Sequence, residues 1–206
     1  MKKAKSILLL IIVLSFPLSQ AFAQFGIKGG ATLSSFDTEI TGNGMSFEES
    51  SDTKFGFQAG ILYQHAINDM ISIQPELLFT QKGGKDDVNG GLESKVTLSY
   101  VEVPVLLRFN VPIDGDIRPY LIAGPHAGYL LDAKDEYDGE SEDISDFLED
   151  LNFGLTFGGG VQFGNFFVDA RYDLGLSNVF DESSIDEPFD ITNKINGFII
   201  TAGITF

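Results

Sequence analysis

The sequence predicts an all-β fold: an eight-stranded antiparallel transmembrane β-barrel with short turns at one end and long acidic loops at the other. Three observations carry this. The stretch 197–206 alternates with a period of two, setting Phe198, Ile200, Ala202, Ile204 and Phe206 on one face. The other face holds Gly197, Ile199, Thr201, Gly203 and Thr205, and a period of two is the signature of a strand with unlike faces. Seven further stretches repeat this pattern, separated alternately by tight turns and long polar segments, the layout of a bacterial membrane barrel. The charges within those stretches fall on the small-residue phase, never among the aromatics and aliphatics.

The chain has 206 residues with no Cys and no Trp, but 23 Gly and 19 Phe. Zero Cys excludes disulfides, thiol catalysis and Cys-ligated metal. Lys2, Lys3 and Lys5 precede an apolar run over residues 7–14, and Ala21-Phe22-Ala23 supplies a small-x-small cleavage site. That pattern is a secretory signal peptide, so residues 1–23 are expected to be removed near Ala23 and residues 24–206 to form one domain. Loss of the three leader lysines leaves 10 basic against 30 acidic residues. So acidic a chain argues against nucleic-acid binding. No other apolar run approaches the ~20 residues of a membrane helix, so any crossing must be made by strands.

Strand one is expected over 25–36, with Phe25, Ile27, Ala31 and Leu33 opposite Gly26, Lys28, Gly30, Thr32 and Ser34. A polar segment, 37–52, follows. Strand two, 53–67, sets Phe55, Phe57, Ala59, Ile61 and Tyr63 against Lys54, Gly56, Gln58, Gly60 and Gln64. Asn68-Asp69 reads as a tight turn, since both residues tolerate positive φ. Strand three, 70–82, places Ser72, Gln74, Glu76 and Thr80 on the polar side, with Pro75 weakening its middle. After a polar loop at 83–92, strand four covers 93–110. Its second half alternates well, with Val101, Val103, Val105, Leu107 and Phe109 opposite Glu102, Leu106 and Arg108. Its first half changes phase, which puts it beyond the membrane or at a bulge.

Asp114-Gly115 marks the next turn. Strand five, 117–131, faces Leu121, Ala123, Ala127 and Tyr129 outward, and Arg118, Tyr120, Gly124, His126 and Gly128 inward. The loop 132–150 carries ten acidic residues and one Lys. Ile144, Phe147, Leu148 and Leu151 in it have helical spacing, so a short amphipathic helix is expected. Strand six is 152–163, Gly164-Asn165 a turn, and strand seven 166–178, with Asp169, Arg171 and Asp173 inward. Another acidic loop, 179–193, leads to the closing strand.

Alternation alone does not say which face is inside, since a soluble barrel shows the same period with its apolar face inward. The polar face decides. It is mostly Gly, Ser, Thr, Gln and Asn, and small residues suit an eight-strand interior that side chains must fill. Lys28, Lys54, Glu76, Glu102, Arg108, Arg118, Asp169, Arg171 and Asp173 share this phase: five positive, four negative. A Lys or Arg facing lipid at the midplane costs ~2–4 kcal/mol. The expectation is an interior salt-bridge network that plugs the barrel rather than a selectivity ring.

Phe25-Gly-Ile-Lys-Gly-Gly-Ala31, Tyr100-Val-Glu-Val-Pro-Val-Leu-Leu107, Arg118-Pro-Tyr-Leu-Ile-Ala-Gly-Pro125 and the terminal Phe206 together resemble the PorT-like outer-membrane β-barrel ("porin") family of Bacteroidetes-type bacteria. The resemblance covers essentially the whole of residues 24–206. It implies location in a Gram-negative outer membrane, contact with outer-membrane lipids, and recognition of the C-terminal strand (Phe198, Ile200, Ile204, Phe206) by barrel-assembly machinery. It carries over no catalytic residue.

Three roles follow in order of expectation. The first is non-enzymatic: a structural, interaction or secretion-accessory protein with a secretion or envelope partner. The second is a small-solute pore. The third is a lipid-modifying enzyme, for which His126 with Ser99 or Asp173 is the one candidate, because His65 sits at the turn end. No cofactor and no metal is expected; the acidic loops match no calcium-loop spacing. Weak divalent bridging from those loops to anionic headgroups is the remaining metal hypothesis. The glycine pairs 29–30 and 83–84 and the triplet 158–160 precede no helix start and are not phosphate loops.

Overall fold

Alternating apolar and small residues, repeated eight times, close here into an antiparallel barrel. The computed structural model describes residues 23–42, 45–88, 92–113, 115–137, 140–179 and 190–206. The leader expected over 1–23 lies outside the described residues except for Ala23, as do residues 180–189 of the last acidic loop. The described strands are β1 (Ala23–Gly42), β2 (Met45–Ser50), β3 (Asp52–Ala66), β4 (Ile71–Val88), β5 (Leu92–Asn110), β6 (Ile117–Tyr137), β7 (Glu140–Asp143), β8 (Leu151–Phe163), β9 (Phe166–Gly175) and β10 (Asp190–Thr205).

Eight of these run around the barrel in the order β1, β3, β4, β5, β6, β8, β9, β10. Antiparallel pairing of β10 with β1, from Gly26↔Thr205 to Thr41↔Asp190, closes the circuit. Closure matters because an unpaired backbone group in hydrocarbon costs several kcal/mol. At the short-turn end, Asn68 Oδ1 accepts from the N–H groups of Met70 and Ile71 at 2.9 and 2.8 Å. Gly164 takes the left-handed φ of +56° that the Gly164-Asn165 turn requires.

The faces divide as the alternation dictates. Phe57, Ile61, Leu77, Leu107, Leu121, Phe157 and Ile200 are exposed on the outer wall, whereas Lys28, Glu76, Glu102, Arg108, Asp169 and Arg171 are buried inside. Of the C-terminal residues, Phe198, Ile200 and Phe206 are exposed, and Ile204 is half-buried opposite Ile27.

The polar segments depart from expectation. Residues 37–50 extend β1 into a hairpin with β2, pairing Asp37↔Ser50 through Gly42↔Met45. β4 and β5 likewise stay paired out to Val88↔Leu92, and β6 with β7 to Tyr137↔Glu140. Along β7 all four residues are exposed, so nothing selects an alternating sequence there, and the period of two that marks the other strands is lost. The amphipathic helix expected at 144–151 is a single 3₁₀ turn, Ser145–Phe147. Phe147 is exposed while Leu148 is buried, and Leu151 already starts β8. The helical spacing there reflects two apolar side chains turned into the barrel mouth, not a helix face.

The apparent phase change in β5 is not a bulge in that strand: Leu98, Tyr100 and Glu102 are buried in one continuous phase, and the inward residues turn apolar where they join the cluster at the mouth. The bulge lies on β6, where Ser99 pairs Asp132 and Tyr100 pairs Leu130, leaving Leu131 unmatched. Pro75 sits opposite Val105, and the ladder beyond it skips Glu76 and Leu77 on β4.

Two substitutions test this arrangement by urea unfolding, the first in detergent micelles and the second in lipid bilayers. A Cβ at Gly160 would lie 2.7 Å from Cζ of Tyr120 and 2.4 Å from the Val168 carbonyl, so Gly160→Ala should destabilise, by about 1–3 kcal/mol as overpacking does. Phe157→Arg on the outer wall should cost about 2–4 kcal/mol in a bilayer, and should cost little if that wall met water.

Candidate functional site

The site is the lumen, and it is built in layers along strands that run up and down the barrel. β4, β6 and β9 leave the short-turn end, so higher numbers on them lie nearer the hairpin end. Lys82 is therefore outward of Glu76, His126 of Tyr120, and Asp173 of Asp169.

The inner ionic layer centres on Glu76. Arg171 clamps it with both terminal nitrogens, at 2.8 and 2.9 Å, and Lys28 Nζ reaches Oε2 at 3.2 Å. Gln74 donates to the same carboxylate at 2.6 Å. Arg171 also holds Asp169, with Nε 2.8 Å from Oδ1. Asp169 accepts further hydrogen bonds from Tyr120 (3.0 Å) and Thr201 (2.7 Å). Two cations and two carboxylates balance here, with most of their oxygen lone pairs filled. Such satisfaction lets charges persist out of water.

The outer ionic layer centres on Lys82. Its Nζ lies 2.6 Å from Glu102 Oε1 and 2.9 Å from Asp173 Oδ2. Thr156 donates to Asp173 Oδ1 at 2.6 Å, and His126 Nδ1 is 3.0 Å from the Thr156 hydroxyl. Glu102, His126 and Asp173 each offer a ligand atom within 4.8 Å of the others, the one such metal-capable group among the described residues.

Apolar plugs flank the two ionic layers. Toward the hairpins, Leu98, Tyr100, Leu130, Ala133, Leu148, Val179 and Ile195 form a buried cluster, with Phe36, Val96 and Ile144 packed against it. The 3₁₀ turn is tied down beside it: Ile144 N–H donates to the Ala133 carbonyl and Ala133 N–H to Ser145 Oγ, both at 3.0 Å. Ser145 N–H also donates to Asp143 Oδ1, which holds that exposed carboxyl below its usual range. Toward the short turns, Leu62, Leu106, Tyr120, Ile122 and Phe167 form a second cluster.

Six of the nine charged residues expected inside thus join ion pairs: Lys28, Glu76, Glu102, Asp169, Arg171 and Asp173. Arg108 is buried but has no ion pair among the described residues. Its guanidinium lies 3.5 Å from the Tyr120 ring centroid and donates to Asn110 (2.9 Å) and Gln162 (2.6 Å). Two placements need correction. Arg118 is exposed and reaches only the Gly164 carbonyl, at 3.4 Å. Lys54 is half-buried and has no part in either layer. Both stand within three residues of a strand start, at a rim where the lumen opens to water, so phase alone overstates their depth.

Sequence reasoning missed Lys82. It follows Thr80 on the inward phase, but it sits at the last residue of the strand as expected from sequence, directly before the expected loop that opens with Gly83 and Gly84. The inward aliphatic residues were also missed, since a lumen of small and polar side chains gave no place to Leu62, Ile122 or Phe167. His126 does not meet Ser99; Thr156 stands between its ring and Asp173. His65 is half-buried beside Tyr63, with ring centroids 6.4 Å apart.

A family model described as "Outer membrane protein beta-barrel domain" matches residues 17–181. Among solved structures, OprG from Pseudomonas aeruginosa is similar at a TM-score of 0.52 and 14% identity, over 90% of this chain and 96% of that one. Neisserial surface protein A is similar at 0.47 and 13%, over 88% and 97%. Ail of Yersinia pestis is similar at 0.42 and 19%, over 90% and 100%. At these identities the likeness is one of fold. No curated protein matches the chain.

The layers predict a contrast between buried and exposed pairs. Glu76→Gln strips Arg171 and Lys28 of their shared charge and should cost about 3–5 kcal/mol. Removing the exposed Lys134–Asp132 pair, 3.3 Å apart, by Lys134→Ala should change stability by under ~1 kcal/mol. Urea midpoints of both variants against the parent protein, in the same micelles, read out the difference.

Proposed function

The chain belongs to the outer membrane protein beta-barrel domain family, and from that premise we propose that it acts as a closed, non-enzymatic barrel: a structural or interaction protein of the outer membrane that presents its hairpins to a secretion or envelope partner. The observation that carries this reading is the filled lumen. Two ionic layers and two apolar clusters stack across it, and the cluster at the hairpin end includes Leu148 and Val179 from the connecting segments. A conducting pore needs a continuous polar path, and buried Leu98, Leu130 and Ile195 interrupt one.

The same features weigh against the enzyme reading. His126 is buried beneath the apolar cluster, and the hydroxyl nearest its ring already donates to Asp173. A lipid-modifying site needs its nucleophile within reach of substrate.

Within the family, the PorT-like assignment is our reading, supported by the residues at 25–31, 100–107 and 118–125. Residues 1–23 act in it as a signal peptide cleaved near Ala23. The exposed apolar belt meets outer-membrane lipid, and the C-terminal strand through Phe206 meets the assembly machinery. What differs from molecule to molecule in such a design is the extramembrane surface, here three β-hairpins rich in Asp and Glu.

Planar-bilayer recording tests the central point. The purified, refolded protein should give no stable single-channel steps. Reproducible steps from the parent protein would overturn the closed-barrel reading and favour the pore.

A further inference from the structure

We propose that Glu102, His126 and Asp173 form a divalent transition-metal site of the Zn²⁺ class inside the barrel, in which the Lys82 ammonium holds the ion's place when no metal is bound. The donor set is the first ground. Two carboxylates and an imidazole come from three different strands, are all buried, and bring ligand atoms within 4.8 Å of one another. Carboxylate oxygen and imidazole nitrogen are both ordinary Zn²⁺ ligands at about 2.0–2.2 Å, so a tetrahedral site needs donors about 3.3 Å apart. A contraction of about an ångström or more supplies that.

The second ground is the position of the positive charge. Lys82 Nζ already sits between the carboxylates, 2.6 Å from Glu102 and 2.9 Å from Asp173. One ammonium against two carboxylates leaves an excess negative charge in a buried layer, where uncompensated charge is strongly unfavourable. A divalent cation replacing the ammonium would balance both carboxylates.

The third ground is the hydrogen-bond direction at His126. The Thr156 hydroxyl has one hydrogen and gives it to Asp173 Oδ1 at 2.6 Å. It must therefore accept from His126, whose Nδ1 is 3.0 Å away and so carries the ring proton. The ring, 4% exposed, is held in one tautomer with the Nε2 lone pair unclaimed by any hydrogen bond among the described residues. A ligating imidazole whose other nitrogen donates to a fixed partner is the usual outer-sphere arrangement of a protein metal site. Lys82, Thr156 and the three donors thus have the parts of such a site with a side-chain cation at its centre.

The test is to refold the full barrel in detergent micelles with Zn²⁺ present and absent, and to measure bound zinc after gel filtration and affinity by calorimetric titration. The parent protein should take up one Zn²⁺ per chain. Lys82→Met removes the competitor and should bind roughly tenfold tighter or more, a factor worth about 1.4 kcal/mol. Thr156→Val in that background should weaken binding roughly 10–100-fold, as loss of an outer-sphere partner does. Adding His126→Gln should abolish it. Heat-modifiable migration on a gel confirms the barrel fold of each variant independently. A folded Lys82→Met protein that retains no zinc overturns the proposal. So does a parent protein that takes up none at millimolar Zn²⁺, or zinc uptake that survives His126→Gln, which would locate it on the acidic hairpins.

Discussion

Hydrocarbon offers no hydrogen-bond partner and no solvation for charge, and both consequences run through the whole molecule. The backbone must satisfy itself, so the sheet must have no edge. The β1–β10 ladder, unbroken from Gly26 to Thr41 on β1, removes it. Side-chain charge must find its partner within the same wall, so every ionised group along the membrane-crossing part of the strands is turned inward. An apolar exterior and an ionic interior are one constraint seen from two sides.

That constraint explains why the lumen is filled and how. An eight-stranded barrel encloses little more than its own side chains. Long charged residues inside it must therefore interlock. Arg171 does so by bridging two carboxylates on different strands, and Lys82 does the same one layer further out. Glycine makes the space. At Gly160 a side chain would collide with Tyr120, and at Gly154 it would meet the His126 ring at 2.6 Å. The small residues of the inward phase are thus the counterpart of the large ones and not a lining for passage.

Outside the membrane the rule relaxes. The hairpins β1–β2, β4–β5 and β6–β7 keep their ladders, and along β7 every residue is exposed, so alternation has nothing to select it there. They also gather acidic residues, and β7 is Glu-Ser-Glu-Asp along its length. Charge on a protruding strand discourages edge-to-edge association with other sheets. The hairpins and the capped mouth below them are the part of the protein that a partner would meet.

The sequence by itself determined which residues share a face, because the period of two is local to each strand. It thereby placed Lys28, Glu76, Glu102, Asp169, Arg171 and Asp173 inside, and Phe57, Phe157 and Ile200 outside. It also determined the number of strands that form the barrel, since tight turns such as Asn68-Asp69 and Gly164-Asn165 have their own chemistry. It overstated Arg118 and Lys54, which have the right phase but stand at the rims. It missed the hairpin strands and took the pattern from Ile144 to Leu151 for a helix. Only the tertiary structure decided which charges meet. Lys82 and Asp173 are 91 positions apart, and Arg171 and Glu76 are 95 apart. Their contact depends on the stagger of strands around a closed circuit, a relation among eight segments at once that no single strand's pattern contains.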